Sequence, residues 1–166
     1  MTSLSEQEIL DCTKTGSFVD YKDQVQPMPK YTIMSYSLNA NGCNGGSPYS
    51  GFIYYKYNGL VGESQYPYTK QKGACQVNAN YTYLTSATAP GFVYVYPQNN
   101  ETVLAAAIAN VGPISVLIDA SDPAFSSYSG GIYSWANCSS TTTDHAVLAV
   151  GYGTDPTSGK DFYIVK

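Results

Sequence analysis

An α+β fold in two unlike halves follows from three observations in the 166-residue sequence. The first half carries short helical segments with recognisable starts and stops, Leu4–Leu10 and Ser50–Tyr57, among glycine- and proline-rich turns. From about residue 76 the chain changes to β-branched and aromatic runs bounded by turn residues. A single capped helix near residues 100–111 interrupts those runs.

Taken in order, Leu4–Leu10 is a short helix because Ser5 can cap it and Glu8 stands three residues on, as in a capping box, with Ile9 as an apolar anchor. Cys12 follows its end. Residues 13–41 mix Lys, Asp, Pro and Tyr without a sustained period, and Pro27 and Pro29 break any helix, so a long loop is expected. Gly42-Cys43-Asn44-Gly45-Gly46 is a tight backbone feature that lets another backbone come close. Pro48 is a natural first-turn residue for the helix that stops at Asn58-Gly59, and Tyr66-Pro67-Tyr68 is a turn or extended segment.

In the second half Gly91–Tyr96 is expected to form a strand ending at Pro97. Asn100 caps a helix with Glu101 in its first turn; Leu104, Ile108 and Val111 share one face, and Gly112-Pro113 stops it. Ile114–Ile118 and Phe162–Val165 are strands, and Gly130-Gly131 marks a turn.

Composition excludes several classes of function. An apolar fraction of 43% with only 12% charged residues argues against disorder. A net charge of −4 leaves no footprint for nucleic acid or an anionic membrane, and no apolar run approaches bilayer-spanning length. The four cysteines contain no Cys-x-x-Cys, so with one histidine neither a zinc site nor another metal or cofactor is expected, and disulfides are the better reading. Three sequons, at Asn80, Asn100 and Asn137, lean toward a secretory or vacuolar compartment. Met1-Thr2-Ser3 begins no signal peptide, so the N-terminus is expected upstream.

His145, the sole histidine, therefore carries any acid–base chemistry near neutral pH. It stands at the head of the apolar run Ala146–Val150, which is expected to be a buried strand with a polar group at its entrance. Strand alternation turns Asp144 away from the face of His145 and makes it a poor candidate for orienting the imidazole. On this stretch alone a hydrogen-bonded structural role competes with a catalytic one. A base needs a nucleophile, yet there is no Gly-x-Ser-x-Gly elbow and no cysteine in a reactive context.

The order of motifs then resembles the papain-family (cathepsin-like) cysteine peptidases. It runs from Leu4-Ser5-Glu6-Gln7 with Cys12, through Gly42–Gly46, Tyr66-Pro67-Tyr68, Gly112–Val116 and Gly130–Tyr133, to Asp144-His145-Ala146-Val147 with Gly151-Tyr152-Gly153, and ends in Tyr163–Lys166. The resemblance implies a papain-like two-lobe fold: a partial helical lobe over residues 1–75 and an antiparallel β-barrel lobe over 76–166, with the active cleft between them. The span at about 14–40, longer than the family's connection, is expected to be an insertion or a retained intron.

The resemblance also implies the chemistry. His145 matches the catalytic histidine of a thiolate–imidazolium pair, Gly45 and Gly46 the loop that pairs with an extended polypeptide substrate, and Ser47, Pro48, Leu117 and Ala146 the walls of a side-chain pocket. Cys12 would pair with Cys75, leaving Cys43 and Cys138 as unpaired half-cystines. The family's nucleophilic cysteine would precede Leu4, and its Asn-Ser-Trp-Gly run would follow Lys166. The chain is thus expected to be an internal fragment of a monomeric endopeptidase, inactive by itself. A non-catalytic secreted homologue, acting as a binding or structural glycoprotein, is the alternative.

Overall fold

The computed structural model describes residues 3–14, 16–18, 36–76, 78–84, 93–139 and 141–166, with backbone alone at 16–18, 36–38 and 57. They fall into two compact units, Met1–Phe92 and Val93–Lys166. Among the described residues no helix is long and apolar enough to cross a membrane.

In the first unit helix α1 spans Glu6–Cys12, and Ser5 caps it by accepting from the Glu8 N–H at 2.9 Å. The capping box stops half-made. Instead of turning back to Ser5, the Glu8 carboxylate accepts from the Val61 N–H at 2.9 Å and the Tyr54 hydroxyl at 3.0 Å. Cys12 closes the helix rather than following it, and Leu4 lies outside it, bridged to Gly62.

Seven residues are too few for a helix to persist on propensity alone, so tertiary contacts hold α1. Those contacts are polar. Gln7 and Glu8 are each 1% exposed, and Asp11 is buried beside them. Gln7 Nε2 donates to Asp11 Oδ1 at 2.9 Å and to the Gln71 carbonyl at 2.8 Å, while its Oε1 accepts from the Thr69 N–H at 2.8 Å. Asp11 also accepts from the Gly73 N–H at 2.6 Å and the Tyr66 hydroxyl at 2.8 Å. Each buried polar group thus finds partners on segments 61 and 66–73 that have no regular structure of their own, which offsets the cost of removing it from water. Cys12 is bonded to Cys75 across a sequence separation of 63 residues, tying the same segments to α1.

Where a loop is expected over 13–41, Gly16–Phe18 (β1) pairs antiparallel with Tyr36–Leu38 (β2). Residues 15 and 19–35 of that expectation lie outside the described residues. A turn of 3-10 helix at Gly42–Asn44 precedes helix α2, Pro48–Asn58, which starts two residues earlier than its sequence signal because Pro48 itself opens the first turn. Gly59, at φ 75°, ends it. Residues 78–84 stay with this unit through the Leu60–Leu84 bridge.

In the second unit helix α3, Glu101–Val111, is capped by Asn100, whose side chain accepts from the Val103 N–H at 3.1 Å, and Gly112 at φ 116° stops it. Strands Ile114–Ile118 (β3), His145–Thr154 (β4) and Asp161–Val165 (β5) form an antiparallel sheet in the order β3-β4-β5, and α3 packs against β4. Phe162 packs across Gly153, where an added Cβ would come within 2.9 Å of the ring.

Three expectations fail here. Val93–Tyr96 is not a strand; no sheet pairing includes it, and β-propensity without a partner strand does not make a ladder. Gly91 and Phe92 lie outside the described residues. Val111 does not share the buried face of α3: it is 79% exposed, in the last turn, whereas Ile108 one turn earlier is buried. Finally, Ala146–Val150 is not a buried run. Only Ala149 is fully enclosed, because β4 presents one face to α3 and the other alternates toward solvent.

Candidate active site

His145 opens β4 directly opposite Ile118 of β3, and its side chain is exposed. Just before it, the Asp144 N–H donates to the Ile118 carbonyl at 3.1 Å, which completes the strand pairing. The Asp144 carboxylate accepts from the Ala120 N–H at 2.8 Å. Asp144 therefore orients the loop after β3 and leaves the imidazole alone, although both residues line the same pocket.

That loop is laced by aspartates. Asp119 accepts from the Ser121 hydroxyl at 2.6 Å and N–H at 3.0 Å, and from the Ser139 N–H at 2.9 Å. These bonds, led by the Ser121 hydroxyl, hold its carboxyl below the ordinary value. Asp122 accepts from the Ala124 N–H at 3.0 Å and from the Tyr133 hydroxyl, ahead of a short 3-10 turn at Phe125–Ser127. Desolvation first, and then the Asp122 carboxylate, push the Tyr133 phenol up to about 12.

The turn delivers Phe125 to the imidazole. Their ring centroids are 6.3 Å apart and the planes meet at 72°, an edge-to-face arrangement. Ala120, Phe125, Ser126, Asp144 and His145 line an open pocket of about 400 Å³. Among the described residues no side chain hydrogen-bonds the imidazole.

The other sequence-singled residues form two sets. Leu117 and Ala146 are register partners on β3 and β4, one position from His145; both are exposed, and neither lines the pocket. In the first unit Gly45 has φ 104° and open space where a Cβ would stand. At Gly46 a Cβ would come within 2.9 Å of the Asn39 carbonyl oxygen, so the close backbone there is the chain's own. The Ser47 N–H donates to that same carbonyl at 2.8 Å, and Pro48 opens α2. Cys43 and Cys138 are free, exposed thiols. Asn80, Asn100 and Asn137 are exposed, Asn100 through its role as a cap. Among the described residues no three His, Cys, Asp or Glu side chains are grouped to hold a metal ion.

Phe125, Tyr133 and Asp122 escaped sequence reading. Asp122-Pro123 was a legible turn start, but no local pattern tells that a ring 20 residues before His145 will meet it.

The whole chain, residues 1–166, matches the papain family cysteine proteases, and it belongs to that family. It is 40% identical over its full length to digestive cysteine proteinase 1 of Homarus americanus and 39% identical to cathepsin L1 of Drosophila melanogaster, covering 44% and 38% of those proteins. Among solved structures it is similar to the digestive procathepsin L2 proteinase from Tenebrio molitor larval midgut, with TM-score 0.74 and 35% identity, covering 100% of this chain and 43% of that one. It is also similar to the bromelain protease from Ananas comosus in complex with the E64 inhibitor, with TM-score 0.69 and 32% identity, covering 100% and 62%. The α+β papain-like fold is thereby established, and the chain spans less than half the length of these two curated relatives.

Proposed function

We propose that these residues belong to a cysteine-type endopeptidase in which His145 is the acid–base partner of a thiol supplied by the longer protein. His145 takes the thiol proton, the thiolate attacks the scissile carbonyl, and the imidazolium returns the proton to the leaving amine; water then releases the acyl group by the same route. The observation that carries this reading is an exposed imidazole lining an open pocket in a chain of this family.

The substrate is an extended polypeptide. Two separate sets of residues are its candidate contacts: Gly45, Gly46, Ser47 and Pro48 on the first unit, and the exposed Leu117–Ala146 pair on the second. No nucleic acid, membrane or cofactor takes part, and the protein works as a monomer. The Cys12–Cys75 bond and the exposed sequons at Asn80, Asn100 and Asn137 support an oxidising, glycosylating compartment, lysosomal, vacuolar or extracellular. Of the two readings of residues 14–40, an insertion or a retained intron, the insertion is favoured. The β1–β2 pairing supports this, since it brings residues 16–18 and 36–38 side by side where the excursion leaves and rejoins the frame.

The test is turnover of a fluorogenic dipeptidyl substrate by the longer protein containing these residues. Activity should be blocked by a thiol-alkylating reagent and fall at least about 10³-fold in His145→Ala. The 166-residue polypeptide alone should hydrolyse nothing. Full activity in His145→Ala would overturn the assignment, and His145-dependent turnover by the short polypeptide would move the nucleophile to Cys43 or Cys138. A longer protein without a nucleophilic thiol would instead be the non-catalytic binding homologue.

A further inference from the structure

The sequence holds three Asn–Gly pairs, Asn41–Gly42, Asn44–Gly45 and Asn58–Gly59. Asparagine is thermally labile, and most so before glycine, where no side chain hinders the next backbone nitrogen from reaching the side-chain amide carbon. In a folded chain the tethering of each pair decides which one reacts. Asn58 is held twice: its Nδ2 donates to the Tyr54 carbonyl at 3.0 Å, and the Gly59 N–H donates to the Tyr55 carbonyl at 2.9 Å. At Asn44 the attacking nitrogen is held, because the Gly45 N–H donates to the Gly42 carbonyl at 3.1 Å. Asn41 differs from both. Its side chain is exposed and makes no capping bond, and among the described residues no group accepts from the Gly42 N–H. Ring closure must turn the Asn41–Gly42 peptide away from ψ 34°, which costs the bond that the Asn41 carbonyl accepts from the Asn44 N–H at 3.1 Å.

We propose that Asn41 is a site of spontaneous deamidation and that its conversion to isoaspartate disables the loop carrying Gly45 and Gly46, the second step resting on the reading of those glycines as substrate contacts. Hydroxide takes the Gly42 amide proton, and the nitrogen attacks Asn41 Cγ. A Cγ–N bond forms, the Cγ–Nδ2 bond breaks, and Nδ2 leaves as ammonia with a proton from water. Water then opens the cyclic imide. Addition at the side-chain carbonyl gives aspartate; addition at the backbone carbonyl gives isoaspartate, whose main chain runs through Cβ and is one methylene longer. That extra length falls where the loop has no slack. The Asn41 N–H donates to the Gly45 carbonyl at 2.9 Å, and the Lys72 side chain fills the space where a Gly42 Cβ would stand. Gly46 lies against the Asn39 carbonyl, which the Ser47 N–H holds at 2.8 Å. A longer link at position 41 therefore moves Gly45 relative to Gly46 and breaks the Asn41–Gly45 closure.

The experiment incubates the longer protein, folded, in mildly alkaline buffer and maps its peptides by mass spectrometry, with isoaspartate counted by isoaspartyl methyltransferase labelling. Conversion at Asn41 should outrun that at Asn44 by at least about fivefold, the factor by which one net hydrogen bond retards the tethered Gly45 nitrogen, and Asn58 should lag further. In urea the three should convert at similar rates, because unfolding removes the tethers. Amide exchange at Gly45 should rise in step with isoaspartate at position 41, and kcat/KM on the fluorogenic dipeptidyl substrate should fall in step with it. Asn41→Gln, whose longer side chain closes a ring far more slowly, should keep its amide, its Gly45 protection and its activity through the same incubation. A longer protein with no turnover at the outset fails the enzymatic reading, while the mapping and the Gly45 exchange still decide the modification and its effect on the loop. Equal conversion at Asn41 and Asn44 in the folded protein overturns the proposal, as does isoaspartate at position 41 that leaves both Gly45 exchange and kcat/KM unchanged.

Discussion

The two units solve the problem of stability differently. Among the described residues every fully buried side chain except Ile108 and Ala149 belongs to Met1–Phe92. There the interior is half polar: Ser5, Gln7, Glu8, Asp11, Thr13 and Ser50 are enclosed with Cys12, Ile53, Leu60, Val61 and Tyr66. In Val93–Lys166 a three-stranded sheet and one helix enclose two residues, and the strand carrying His145 stands largely in the open. The difference teaches that a buried hydrogen-bond network can hold irregular chain in place, because the partners of Gln7, Glu8 and Asp11 specify one arrangement. The candidate base His145 stands in this second unit, at the start of the central strand of a regular sheet flanked by hydrogen-bonded loops.

Removing the disulfide should break the first arrangement most severely. Cys75→Ser reopens a closure of 63 residues, and the chain-entropy account puts the loss at about 4 kcal/mol. Thermal unfolding measures it, and amide exchange should rise along α1 while β3–β5 stays as protected as before. An unchanged α1 would mean that the polar network alone suffices.

Next in size is Ile108→Ala, which empties the one buried position on α3 and should cost about 2–3 kcal/mol in denaturant unfolding. Val111→Ala on the same helix, at a 79% exposed position, should stay within about 0.5 kcal/mol. Equal losses would show that α3 is seated on a different face.

The third test is pH. Burial alone would raise the Asp11 carboxyl, but the Gly73 N–H, the Gln7 amide, the Tyr66 phenol and the charge of Lys72 together hold it below its ordinary 3.8. A folded value below the unfolded one stabilises fully above the unfolded value and loses that contribution as pH falls through the folded value. The Tm should therefore drop more steeply below about pH 4 in the parent than in Asp11→Asn, which should already lose about 2 kcal/mol at neutral pH. Parallel Tm profiles would remove Asp11 from the account of acid sensitivity.

Much of the secondary structure was legible because its signals are local. Ser5 and Asn100 cap the helices they precede, Gly59 and Gly112 end theirs at positive φ, and β3 and β5 fall where β-branched runs put them. Glu8 misled for an equally local reason: its spacing from Ser5 fits a capping box, and only the arrival of Val61 and Tyr54 gave its carboxylate better partners. Val93–Tyr96 misled because strand propensity says nothing about whether a neighbouring strand exists.

What the sequence by itself determined is the family, the candidate base and the residues that cap or stop the helices, since each rests on residue type and short spacing. Only the tertiary structure decided that Gln7, Glu8 and Asp11 are interior, that Asp144 serves the Ala120 N–H, and that Phe125 meets His145. Those outcomes depend on which distant groups a fold brings within hydrogen-bond or ring-contact distance, and such pairings leave no periodic trace along the chain.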